Sequence, residues 1–191
     1  MILTKKQEEG LKNAVARHRA GEKYTVIAGY AWVGTGKSTP VRFIIEALDV
    51  EQKKVCYATF TGKAAQVLAK KGNKNAMTLH RLLYDSVPRP GGGFTRIPKK
   101  NLDYTVVVVD EVSMAPKSIM TKLFSHNVYV ICLGDPFQLP TIEKEEDNHL
   151  LDNPHIFLDE IMRQATESGI IRLTMDIRDQ KPLDYIKNDE V

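Results

Sequence analysis

The chain has 191 residues, with 27 Lys and Arg against 24 Asp and Glu for a net charge of +3, and 42% of it is hydrophobic. That length buries the core of one domain, and the composition excludes a disordered chain. Two cysteines exclude a disulfide framework, and no apolar run approaches the about 20 residues of a membrane span. The chain turns polar straight after Met1-Ile2-Leu3, which predicts no secretory signal and a cytoplasmic protein.

Thr4-x-x-Gln7 fits a capping box and opens a helix that runs to about Ala20. Tyr24 to Ala28 reads as a buried strand, and Pro40 to Leu48 as a helix entered from a glycine-rich turn. Val55 to Thr59 is the next strand, and Thr61 caps a helix that stops at Gly72. A short helix should follow Thr78. Pro88, Pro90, Gly91-Gly92-Gly93 and Pro98 break regular structure, so residues 85–103 are expected to form a small inserted hairpin or loop. Thr105 to Val109 is β-branched without alternation, as a central parallel strand covered on both faces requires. Ala115 to Phe124 reads as a helix, Val128 to Leu133 and His155 to Leu158 as strands, and Glu167 to Arg178 as a last helix. The acidic stretch Glu143 to Asp147 reads as a solvated loop. Strands alternating with helices imply an α/β domain with a mostly parallel sheet.

The small net charge conceals an asymmetry. Residues 1–100 carry 19 Lys or Arg and 7 Asp or Glu, a balance of +12, whereas residues 101–191 carry 8 against 17, a balance of −9. A basic half of that size suits a polyanionic partner.

Ala31-Trp32-Val33-Gly34-Thr35-Gly36-Lys37-Ser38 follows a strand and opens a helix, which is the setting of a phosphate-binding loop. Glycines let backbone N–H groups turn onto a phosphate, and the helix N-terminus adds positive potential. Lys37 would reach the β- and γ-phosphates of ATP, and the Ser38 hydroxyl would coordinate Mg²⁺. Trp32 and Val33 look inserted into a compact Gly-Tyr-Ala-Gly-Thr-Gly-Lys loop, either as an exposed flap or packed beneath it. Val106-Val107-Val108-Val109-Asp110-Glu111 places two carboxylates at the C-terminal end of a buried strand. Asp110 would hold Mg²⁺ and Glu111 would orient and deprotonate the attacking water. Gly134-Asp135-Pro136-Phe137-Gln138-Leu139-Pro140 again follows a strand, and Gln138 can hydrogen-bond the γ-phosphate or the water.

These segments, together with Gln7, Thr61-Gly62-Lys63-Ala64-Ala65, Thr78-Leu79-His80 and Arg163-Gln164, occur in an order that resembles the first RecA-like motor domain of superfamily 1 helicases, close to the RecD and phage Dda group. The likeness covers residues 2–179 and implies a RecA-like P-loop NTPase fold, with residues 1–179 as the ATP-binding lobe. Nucleotide binding then falls on Gln7 (the adenine reader, or a helix cap, or both) and on Gly34, Thr35, Gly36, Lys37, Ser38 and Thr39. Metal binding falls on Ser38 and Asp110. Thr61, Gly62, Lys63, Thr78 and His80 match the motifs that contact DNA, and Arg163 matches an arginine that reaches the γ-phosphate. Phe94 of the insertion either stacks on a base at a fork or packs within its own hairpin. The family implies translocation from 5′ to 3′ on single-stranded DNA or at a single-strand/duplex junction, with a second RecA-like lobe. Residues 180–191 would begin the linker to that lobe, and a truncated first lobe would have little activity alone. Two other readings share these motifs: a P-loop ATPase switch that loads or remodels a protein partner, and a related RNA helicase.

Overall fold

Thr4 and Gln7 cap each other. The Thr4 hydroxyl accepts the Gln7 N–H at 3.3 Å and the Gln7 Oε1 accepts the Thr4 N–H at 3.1 Å, which starts helix α1 (Lys5–Arg19). The structure, a computed structural model, describes residues 3–29, 38–139, 141–142, 144–159 and 177. After α1 come β1 (Tyr24–Gly29), α2 (Ser38–Ala47), β2 (Val55–Thr59), α3 (Gly62–Lys70), β3 (Ala76–Thr78) and α4 (Leu79–Leu83). They are followed by β4 (Tyr84–Pro88), β5 (Phe94–Pro98), β6 (Val106–Val109), α5 (Lys117–Phe124), β7 (Tyr129–Gly134) and β8 (Ile156–Leu158). The last helix expected, Glu167 to Arg178, lies outside the described residues but for Ile177.

Among the described residues, six strands form one sheet in the order β3-β2-β6-β7-β1-β8, and all of its pairings are parallel. Successive strand residues face opposite ways, so the valines of β6 divide between two cores. Val107 and Val109 join Val26, Cys56 and Val130 beneath Leu79, Leu82 and Leu83 of α4 and Met120 and Leu123 of α5. Val106 and Val108 join Ile27, Val55 and Ile131 beneath Ile44 and Ile45 of α2 and Ala14 of α1. Each fully buried Ile or Leu contributes about 1.5–3 kcal/mol. The sheet is therefore a rigid, twice-covered platform, and what it positions is its rim. Among the described residues no helix is long and apolar enough to cross a membrane.

Several local features differ from the sequence reading. Strand β3 was not anticipated, because Ala76-Met77-Thr78 is short and only half-buried. Helix α5 starts at Lys117 rather than Ala115, since Pro116 forces the residue before it into extended backbone (Ala115 φ −82°, ψ 123°). A 3₁₀ turn, Val112–Met114, fills the gap. Pro40 is the third residue of α2, where a missing N–H leaves no bond unmade. The acidic stretch is more than a solvated loop. Glu146 accepts the Ser118 N–H at 2.9 Å and so caps α5, which Pro116 leaves without a side-chain cap. That bond holds the Glu146 carboxyl below the usual carboxylate range. β4 and β5 form a separate antiparallel hairpin. Gly91, Gly92 and Gly93 all take positive φ at its tip (95°, 99° and 82°), a run that side-chain-bearing residues resist.

Candidate functional site

Parallel pairing brings the C-terminal ends of the six strands to one edge, where open α/β sheets bind ligands. The register aligns Ala28 with Gly134, Gly29 with Leu158, and Ala58 with Val109, so the segments leaving β1, β2, β6 and β7 emerge side by side. The glycine-rich segment follows β1 directly, and α2 opens at Ser38. Gly34, Thr35, Gly36 and Lys37 lie outside the described residues, as do Trp32, Val33, Arg163 and the side chains of Ser38 and Thr39.

At the centre of the edge, the Asp110 N–H donates to the Ala58 carbonyl at 3.0 Å and extends the β6 pairing by one residue. One oxygen of its carboxylate, Oδ1, accepts the Glu111 N–H at 3.0 Å, which fixes how the half-buried group is aimed. Glu111 is left-handed (φ 54°, ψ 48°), a conformation costing about 1–3 kcal/mol for a residue with a side chain and concentrated at functional sites. A half-buried carboxylate held by one oxygen at the C-terminal end of a strand fits Mg²⁺. That ion takes one or two protein ligands and completes its shell with phosphate and water.

β7 ends at Gly134, where a Cβ would stand 2.7 Å from Leu151 Cδ1 and 3.1 Å from Val112 Cγ1, so any side chain there would push Leu151 out of its place. Asp135, fully buried, then accepts the Phe137 N–H at 2.9 Å on its carboxylate and the Gln138 N–H at 3.1 Å on its carbonyl. This tight turn sets Gln138, half-buried, on the rim. Gln7 reaches the same edge from α1. Lys6 pairs with Asp159 just past β8, and Gly10 lets α1 approach so closely that a Cβ would meet Ile156 Cγ2 at 2.9 Å. Gln7 is 3% exposed.

The other half of the edge gathers the residues matched to DNA contact. Thr61 caps α3 by accepting the Ala64 N–H at 3.3 Å, and the Thr59 hydroxyl donates to its carbonyl at 2.8 Å. Gly62 and Lys63 stand exposed in the first turn. Thr78, aligned with Thr59 in the neighbouring strand, caps α4 through the Arg81 N–H at 3.2 Å. Thr61–Lys63 and Thr78–His80 thus form adjoining loops. His80 sits between Phe60 and Tyr84, with ring centres 5.7 Å and 6.3 Å away. Burial first, and Arg96 second, hold its pKa below the ordinary 6.5.

A cleft of about 500 Å³ opens beside it, lined by Thr78, His80, Arg81, Tyr84, Arg96 and Lys99 among others. Phe60, Tyr84, Arg81, Arg96 and Lys99 are site residues the motif reading missed. Of the rings flanking His80, Tyr84 lies four residues on in the chain and was open to notice, whereas Phe60, twenty residues earlier, arrives by the pairing of β2 with β3. Arg96 and Lys99 arrive only because the hairpin folds back. Ser86, Arg96, Phe94 and Tyr84 share one face of that hairpin, and Phe94 at its tip is 71% exposed.

A family model described as an AAA domain matches residues 3–190. The ATP-dependent RecD2 DNA helicase of Deinococcus radiodurans is 31% identical over 176 residues, covering 88% of this chain and 24% of that protein. The RecBCD subunit RecD of Mycobacterium tuberculosis is 33% identical over 137 residues, covering 58% of this chain and 23% of that one. Among solved structures, Bacteroides Pif1 bound to single-stranded DNA superposes with a TM-score of 0.62 at 23% identity, over 96% of this chain and 48% of its own. A structure of Pif1 helicases at forked DNA gives 0.62 at 24% identity, over all of this chain and 53% of its own. At that identity the structural likeness establishes the fold. The chain spans about a quarter of these curated relatives.

Proposed function

The chain belongs to the AAA domain family, and within it is a RecD-like motor domain of superfamily 1; from that premise we propose that it binds and hydrolyses ATP to drive 5′ to 3′ movement along single-stranded DNA. One observation carries the reading. Asp110 and Glu111 end the strand that lies between the one leading to Thr61–Lys63 and the one leading to Gln138, so a nucleotide site and a phosphate-gripping loop share one rigid edge.

In this reading, Lys37 and the glycine-rich loop bind the β- and γ-phosphates, and Gln7 reads the adenine. Ser38 and Asp110 hold Mg²⁺, which when bound neutralises charge on the phosphates. Glu111 takes the proton of the attacking water. Gln138 hydrogen-bonds the γ-phosphate or that water, and its loop reports the result to the DNA side. Arg163 and a second RecA-like lobe supply further positive charge to the transition state, a contribution worth several powers of ten in phosphoryl transfer. Residues 1–179 form the first lobe, and residues 180–191 lead toward the second.

On the DNA side, the Thr61–Lys63 and Thr78–His80 loops hold the strand's phosphates. The names of the relatives favour DNA over RNA as the track. The test is ATP hydrolysis by the full-length protein with single-stranded DNA, with RNA, and with neither. Stimulation by DNA is expected, lost in Lys37→Ala through binding and in Glu111→Gln through hydrolysis alone. Wild-type turnover in Lys37→Ala, or stimulation by RNA in preference to DNA, would overturn the reading.

A further inference from the structure

Glu111 can remain left-handed only if its surroundings over-determine it. Two restraints are its own: Asp110 Oδ1 accepts its N–H at 3.0 Å, and the Met114 N–H bonds its carbonyl at 3.1 Å. The third comes from a residue 37 positions on in the chain. The side-chain amide nitrogen of Asn148 donates to the Val112 carbonyl at 2.8 Å and to the Ala115 carbonyl at 2.7 Å. Those carbonyls flank the 3₁₀ turn Val112–Met114 that follows Glu111, so one NH₂ group spans the turn and fixes its opening.

Asn148 is itself held, because its Oδ1 accepts the Leu150 N–H at 3.0 Å. A flipped amide would aim oxygen at two carbonyls and forfeit all three bonds, so one orientation is selected. The flanking residues brace the same place. Glu146 caps α5, and Leu151 packs where Gly134 leaves room, in the same core cluster as Val112.

We propose that Asn148 is a positioning residue for Glu111: by clamping the turn behind it, the Asn148 amide sets where the Glu111 carboxylate meets the attacking water. The inference rests on the reading of Glu111 as the base. It also gives the downstream segment a mechanical link to the Gln138 loop, since Leu151 and Val112 both pack against Gly134.

The experiment is a double-mutant cycle in the DNA-stimulated ATPase of the full-length protein, run well below the melting temperature of every variant. Asn148→Ala should lower kcat by about 10- to 100-fold, the cost of a misplaced group, with KM for ATP unchanged within about twofold. Asn148→Asp is isosteric and keeps the bond to Leu150, but sets a carboxylate against two carbonyls; its loss should be at least as large. Combined with Glu111→Gln, Asn148→Ala should cost nothing further, because the group it positions has gone. Wild-type kcat in either Asn148 variant, or a loss that multiplies in full onto that of Glu111→Gln, overturns the proposal while the base reading stands. If Glu111→Gln itself turns over at the wild-type rate, the base reading falls and takes the proposal with it.

Discussion

Replacing Glu111 by glycine should make the protein more stable while reducing its hydrolysis to a small residual rate. Glu111 holds φ 54° and ψ 48°, where an L side chain costs about 1–2 kcal/mol and glycine nothing. The bonds that fix the turn use only the Glu111 main chain, as donor to Asp110 and acceptor from Met114, so glycine keeps both. No hydrogen bond or ion pair among the described residues uses its side chain, so none is lost. Against this, glycine gives the unfolded chain extra freedom, about 0.4–1 kcal/mol. The difference leaves a net gain of about 0.5–1 kcal/mol, a rise of about 1–4 °C in Tm for a chain of this size. Thermal melts of Glu111→Gly beside Glu111→Gln separate the terms, because glutamine removes the charge and keeps the strain. Glutamine should melt with the wild type, glycine above it, and both should hydrolyse ATP only at a small residual rate. A Glu111→Gly protein melting below wild type would refute the idea that this backbone is strained in the service of the site.

Lys63→Ala should weaken single-stranded DNA binding about equally for all sequences and reduce the salt slope by about one charge, since a phosphate contact carries no base information; Lys12→Ala, on α1 near the opposite margin of the sheet, should change neither. Arg96→Gln should raise the His80 pKa toward 6.5, read by NMR titration, because it removes the cation that disfavours the imidazolium while burial still lowers it. His126 and His155 are likewise held below 6.5, chiefly by burial. With folded pKa values depressed, the unfolded chain binds protons first. Stability is therefore complete above about pH 6.5 and falls as acid takes the pH below it, and His126→Gln should flatten part of that slope in urea melts at pH 7.5 and 5.5. Thr61→Ala should cost about 1 kcal/mol, because the Ala64 N–H loses its cap; an unchanged urea midpoint would contradict the observed bond.

Much of this molecule was legible in its sequence because the signals were local. A capping box needs only Thr4 and Gln7, three residues apart, and both of its bonds form. Val106–Val109 announces a doubly covered strand by composition alone, and all four valines are buried. The order of motifs likewise named the fold and its family. The positions that escaped the reading depend on distant partners. β3 is a strand because β2 offers it an edge: the Tyr57 N–H bonds the Asn75 carbonyl at 3.3 Å, and the Asn75 amide returns to Val55 at 3.0 Å. Glu146 looked like one of several solvated acids until α5 presented an N–H that Pro116 could not help it satisfy. Arg96 joins His80 only through the hairpin's return, and Asn148 meets the turn behind Glu111 only after β7 has crossed the sheet.

The sequence by itself determined which residue types could handle a phosphate, a cation and a proton, since spacing within a loop is set by covalent geometry. Only the tertiary structure decided how those residues are aimed. The dihedral strain at Glu111 and the clamp that holds it are set by contacts between segments, whose free energy exists only once the sheet has brought them within hydrogen-bond range.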